Sequence, residues 1–154
     1  MWFVSLLIWL IVIYSLRVSL RGNPEYRLVT TAPESFLDEA ATCLDERVEP
    51  EDDEIRDFLQ KFLHLSLIRM AFFILEISVA WIILAKDMGQ WLMWVIVAKN
   101  AVIICFWHFR SRTPENVFSS VKEMSTAVLR WEKLSYLLSA CCLLYVFLAI
   151  NNLV

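Results

Sequence analysis

Residues 62–109 read FLHLSLIRMAFFILEISVAWIILAKDMGQWLMWVIVAKNAVIICFWHF, two apolar runs joined by Lys86-Asp87-Met88-Gly89-Gln90. The first run extends from Phe62 to Ala85 and the second from Trp91 to Phe109. At a rise of about 1.5 Å per residue, each approaches or exceeds the length that crosses roughly 30 Å of hydrocarbon. Backbone groups in lipid must be satisfied within the segment, and neither run alternates as a barrel strand does. Both therefore read as helices, and the stretch predicts a transmembrane hairpin.

Upstream, Met1 to Leu16 is uncharged and continues to Leu20 past Arg17, whose long stem reaches back to the interface. No basic residue precedes this run and no small-x-small site follows it, so an uncleaved anchor is expected. Downstream, Leu134 to Ile150 forms a further apolar run that ends at Asn151-Asn152. The expected fold class is all-α: a polytopic membrane protein with four transmembrane helices and helical cytoplasmic extensions. Its expected order is helix 1 at 1–20, an acidic segment at 21–61, the hairpin at 62–109, an amphipathic helix at 110–133 and helix 4 at 134–154.

Composition points the same way. The chain is 59% hydrophobic, above the roughly 45–50% of a soluble domain. Eleven of its 17 acidic residues fall between Glu34 and Asp57, which leaves the long apolar runs almost bare of charge. That distribution excludes an ordinary soluble globule and a disordered chain. A net charge of -3 without a basic face excludes a nucleic-acid partner.

Basic residues set the orientation. Arg17, Arg21, Arg27, Arg47, Arg56 and Lys61 lie between the first and second spans. Arg110, Arg112, Lys122, Arg130 and Lys133 lie between the third and fourth, whereas the hairpin turn holds only Lys86. Both long connections are expected on the cytoplasmic side and both termini outside. The expected location is a bacterial inner or plasma membrane, or an organelle inner membrane with the connections in the matrix.

Within the first connection, Gly22-Asn23-Pro24 breaks the helix and Thr31-Ala32-Pro33 starts another. Phe36, Leu37, Ala40, Ala41, Leu44 and Val48 then repeat at helical spacing, opposite Asp38, Glu39, Asp45 and Glu46. Pro50 is read as opening a helix of about 35 residues that runs without a breaker to Lys86. The acidic block Glu49, Glu51, Asp52, Asp53 and Glu54 lacks the spaced ligands and turn glycine of a calcium loop. Acids at a helix start favour its positive end, and the block also suits docking of a basic partner; no metal is expected. In the second connection, Thr113-Pro114 starts a helix whose apolar positions Val117, Val121, Met124, Val128 and Trp131 follow a 4-3 spacing. It either lies on lipid or stands upright against residues 36–61. The upright form is preferred because Glu115, Glu123 and Glu132 dilute its basic face.

Three ionisable residues fall inside apolar runs: Arg69, Glu76 and Lys99. Each costs roughly 2.5–3.5 kcal/mol at mid-bilayer on the insertion scale, so such groups face protein or water and are paired. Glu76 stands 12 residues before Met88 and Lys99 stands 11 after it. In an antiparallel hairpin these positions have nearly equal depth, which predicts a Glu76–Lys99 ion pair. Arg69, seven residues from Glu76, shares almost the same helix face and either stays near the pair or reaches the interface beside Arg110. Asn100 is placed to hydrogen-bond within the bundle.

Other chemistry finds little support. His64 and His108 differ in depth by about four residues, or about 6 Å, and nothing else marks a haem pocket; no cofactor is expected. Cys43, Cys105, Cys141 and Cys142 contain no C-x-x-C. With only 2 Gly there is no phosphate loop or dinucleotide fingerprint, no nucleophile elbow appears, and an enzyme is not expected. The same scarcity removes a G-x-x-x-G seam, so large side chains are expected to do the packing. The preferred function is a non-catalytic membrane subunit that scaffolds or regulates a larger assembly. The alternative is a homo-oligomeric ion channel or small transporter using Arg69, Glu76 and Lys99. Expected partners are the lipid bilayer and other membrane subunits or copies of the chain itself.

Overall fold

Helix 1 ends because one residue adopts a conformation that side chains resist. In the computed structural model α1 runs Trp2–Arg21, and Gly22 follows with φ 81°. Its N–H donates to the Val18 carbonyl at 2.8 Å, closing the helix end. Asn23 then accepts from the Glu25 N–H at 2.9 Å and Pro24 occupies the first turn, starting α2, Pro24–Thr31. Gly22→Ala is expected to cost about 1–2 kcal/mol through the left-handed backbone alone, read as a lowered unfolding midpoint. The added Cβ would meet Lys133 Cε at 3.5 Å, an ordinary contact. An unchanged midpoint would contradict this account.

The structure describes residues 2–46, 48–50, 52–85, 90–110, 118 and 126–151, with the backbone alone at 90 and 106–110. Four more helices are described: α3 Glu34–Glu46, α4 Asp53–Leu84, α5 Gln90–Arg110 and α6 Thr126–Ile150. Every regular element among the described residues is a helix, and α1, α4 and α6 are long and apolar enough to cross a membrane. The chain is an integral membrane protein. In α5 the described apolar stretch, Trp91–Cys105, is shorter.

α4 has 32 residues, or about 48 Å at 1.5 Å per residue, well beyond the thickness of hydrocarbon. It starts at Asp53 rather than at Pro50, because the Asp52 side chain accepts from the Glu54 N–H at 2.8 Å and caps the first turn. Its first turns bury Ile55, Phe58, Leu59 and Phe62 against Val29 of α2, Leu37, Ala40 and Ala41 of α3, and Phe118. Phe118 is fully buried, with ring centroids 5.6 Å from Phe58 and 5.0 Å from Phe62. Apart from Phe118 and residues 126–133, the amphipathic helix expected at 110–133 and its 4-3 face lie outside the described residues, as do Lys86–Gly89 of the hairpin turn.

A second core fills the other end of the bundle. Ile8, Ile11 and Val12 of α1 meet Val79, Ala80 and Ile83 of α4, Met93 and Ile96 of α5, and Leu143 and Val146 of α6. α1 and α6 make the most extensive helix pairing. α6 buries Ser135, Ser139, Ala140, Cys142, Leu143 and Val146. Isoleucine, leucine, valine and methionine make up most of this core, beside the smaller Ala80, Ala140 and Cys142. Ser135 and Ser139, four residues apart, are both buried on α6.

Candidate functional site

Below the apolar core, α2, α4, α5 and α6 turn polar side chains towards one another in two clusters. The deeper one joins α4, α5 and α6. Lys99 Nζ donates to Glu76 Oε1 at 2.8 Å, to Glu76 Oε2 at 2.9 Å and to Ser139 Oγ at 2.6 Å. An ammonium carries three donors, and all three are placed. Asn100 Nδ2 adds a longer contact to Glu76 Oε2 at 3.4 Å. The Lys99 and Glu76 side chains are 9% and 5% exposed, so little of this charge pair meets solvent. Asn100 Oδ1 is buried with no hydrogen-bond partner among the described residues.

The second cluster lies two turns away along α4, about 10 Å from the first. Arg69 Nη1 donates to Glu25 Oε2 at 2.8 Å and Nη2 to Glu132 Oε1 at 3.0 Å. Asn23 Nδ2 also donates to Glu132 Oε1, at 3.1 Å. One guanidinium thus ties α2, α4 and α6 together, a use for which its planar fork suits it better than an ammonium. Arg69 turns towards these two acids, and the alternative of a position beside Arg110 concerns a side chain outside the description.

By sequence Glu132 is one of three acids that dilute the basic face of the second connection. Its side chain is in fact only 13% exposed, because it neutralises Arg69. Glu25, a lone acid after a proline, has a side chain 8% exposed, and no pattern around it in the sequence points to Arg69. Glu132 carried a detectable signal. Glu132, Ser135, Tyr136 and Ser139 follow the i, i+3, i+4, i+7 spacing of a polar stripe on a single helix face.

Between the clusters is a cavity of about 870 Å³, bounded by Tyr14, Arg69, Glu76, Lys99, Asn100 and Tyr136 among others. Tyr14 stacks on Phe72 with centroids 4.0 Å apart and meets Tyr136 edge-on at 6.1 Å. Lys99 Nζ lies 5.7 Å from the centre of the Tyr136 ring. The core residues of α4, α5 and α6 beyond Glu76, Lys99 and Ser139 are apolar, so the charged floor marks the cavity's inner end. Met70, Val102, Ile104 and Trp131 also line it and are exposed on the flank of the bundle, which places a mouth at its side.

The acidic block lies elsewhere, at the start of α4. Asp53 pairs with Arg56 at 2.8 Å and Glu49 approaches the same guanidinium at 4.0 Å. Asp52 caps the helix, and Glu51 lies outside the described residues. Among the described residues no group of three or more His, Cys, Asp or Glu is arranged to hold a metal ion. His64 is exposed, and the side chain of His108 lies outside the description. No protein-family model, curated protein or solved structure matches the chain.

Proposed function

We propose that the chain is a small membrane transporter or ion-conducting protein in which Arg69, Glu76 and Lys99 line the path of a solute. A single observation carries this reading: a cavity of about 870 Å³ ends on the buried Glu76–Lys99 pair. A scaffold needs no such space. A pair retained only to fix helix register would be expected to pack dry, since voids in a close-packed interior forfeit contact energy. The apolar core beyond the pair makes access one-sided, which fits a binding cavity that alternates better than a continuously open pore.

In this reading α5 completes a four-span bundle. The excess of basic residues in the long connections puts the cavity on the cytoplasmic side and both termini outside. The host membrane is proposed to be a bacterial inner or plasma membrane. No catalytic step is assigned to the chain, and copies of itself are the proposed neighbours.

The test uses purified protein in liposomes under an imposed proton gradient. Wild type is expected to dissipate the gradient faster than protein-free vesicles. The double variant Glu76→Gln/Lys99→Met removes both charges together, and is expected to stay folded while falling to the rate of empty vesicles. Undiminished flux in that variant would reduce the pair to a structural clamp. Absence of wild-type flux, with unrelated membrane subunits co-purifying, would return the chain to the scaffolding role.

A further inference from the structure

We infer that a small pocket where α1, α2 and α6 meet binds the phosphate of an anionic phospholipid from the surrounding bilayer. The inference goes beyond the transport reading and does not depend on it. Local backbone geometry makes the pocket. α1 stops at Gly22, and Asn23 ties the turn to α6 through its 3.1 Å hydrogen bond to Glu132. Gly22, without a side chain, lets Lys133 approach: a Cβ there would lie 3.5 Å from Lys133 Cε and 3.9 Å from Nζ. Arg21, Arg27 and Lys133 thereby line one pocket of about 190 Å³, together with Tyr26 and Glu132.

Charge sets the sign of the ligand here. Three cations face one carboxylate, and that carboxylate already accepts from Arg69 and Asn23. Counting Arg69 and Glu25 as well adds one charge of each sign, so the positive surplus is unchanged. Among the described residues Arg21, Arg27 and Lys133 form no ion pair. All three are exposed, so an anion reaches their donors without breaking a contact. Two guanidinium forks match the oxygens of a phosphate, and the ammonium adds a point charge.

Position identifies the source of that phosphate. Arg21 follows the apolar run of α1, and Lys133 immediately precedes the apolar run of α6. The pocket therefore stands at the level where hydrocarbon gives way to lipid headgroups. Trp131, exposed near the same end of α6, is a residue type that favours that level. Leu20 and Leu134, next to two of the cations, are exposed and offer acyl chains an apolar surface. The pocket is far smaller than a lipid, so it takes the phosphodiester while the chains stay in the bilayer.

The test places full-length protein in mixed micelles with equal amounts of phosphatidylglycerol and phosphatidylcholine, and native mass spectrometry counts the lipid retained. Each cation near an anionic headgroup contributes about fivefold in affinity, so phosphatidylglycerol is expected to be favoured about tenfold or more. Arg21→Gln/Lys133→Gln should abolish most of that preference. Both side chains are exposed, so this variant is expected to fold. Arg17→Gln/Arg130→Gln removes the same charge from exposed positions within about one turn of the first pair but outside the pocket. It should keep the preference. Equal loss in both double variants would reduce the effect to diffuse surface charge and overturn the site. An unchanged preference in Arg21→Gln/Lys133→Gln, or equal retention of the two lipids by wild type, would overturn it too. Excess inorganic phosphate should leave phosphatidylglycerol in place; displacement would assign the pocket to a free anion and overturn the lipid assignment.

Discussion

Lys99→Met is expected to destabilise the folded bundle by about 3–5 kcal/mol, the range for removing one member of a buried pair. The loss arises from what remains. Among the described residues, Glu76 would keep only the 3.4 Å contact from Asn100 to stabilise a carboxylate that is 4% exposed. Glu76→Gln should cost less. The carboxamide oxygen still accepts from Lys99, and the ammonium retains Ser139 at 2.6 Å and the Tyr136 ring at 5.7 Å. The double variant should recover most of the loss, since no uncompensated charge stays buried. Unfolding midpoints in a denaturing-detergent titration give the comparison, and the two singles with the double form a cycle that isolates the coupling. A Lys99→Met protein within about 0.5 kcal/mol of wild type, the ordinary range for surface changes, would show that the pair contributes nothing to the fold.

Arg69→Leu should have an effect of similar size but a different spatial signature. It would leave Glu25 and Glu132, both nearly buried, facing a shared site without their cation. Like charges at close range in a poorly hydrated site repel strongly, so this variant should lose about 3–5 kcal/mol. The loss should exceed that of either Glu25→Gln or Glu132→Gln. Arg69→Lys should be intermediate, because an ammonium lacks the fork that reaches both carboxylates at once. Amide hydrogen exchange adds the location: α2 should lose protection first, since Glu25 is its charged link to α4. Exchange in α2 and a midpoint like those of an exposed control such as Arg130→Leu would disprove the role assigned to Arg69.

Depth arithmetic along the hairpin was enough to bring Glu76 and Lys99 to one level, because two antiparallel helices around a short turn leave little freedom. Arg69 was legible as a charge needing a partner, but its partners were not. Glu25 sits 44 positions earlier and Glu132 63 positions later, and helical periodicity carries no information about contacts between helices so distant in sequence. The helix Pro24–Thr31 was missed for a related reason. Gly22-Asn23-Pro24 reads as a breaker, yet the Asn-Pro pair that follows the glycine is also a helix start. The cavity was invisible in the sequence, since empty space depends on how several helices pack against one another and not on any single residue.

The pairing of α1 with α6 has a consequence for the order in which the protein can be made. α1 emerges from the ribosome long before its principal partner. The α4–α5 hairpin can close on its own Glu76–Lys99 contact, yet the third donor of Lys99 waits for Ser139. Arg69 likewise has only Glu25 until Glu132 is synthesised. α6 is thus the closing piece for the apolar interface and for both polar clusters. Until it arrives, the nascent chain holds incompletely satisfied charges in the bilayer, a state that membrane quality control can distinguish from the finished bundle.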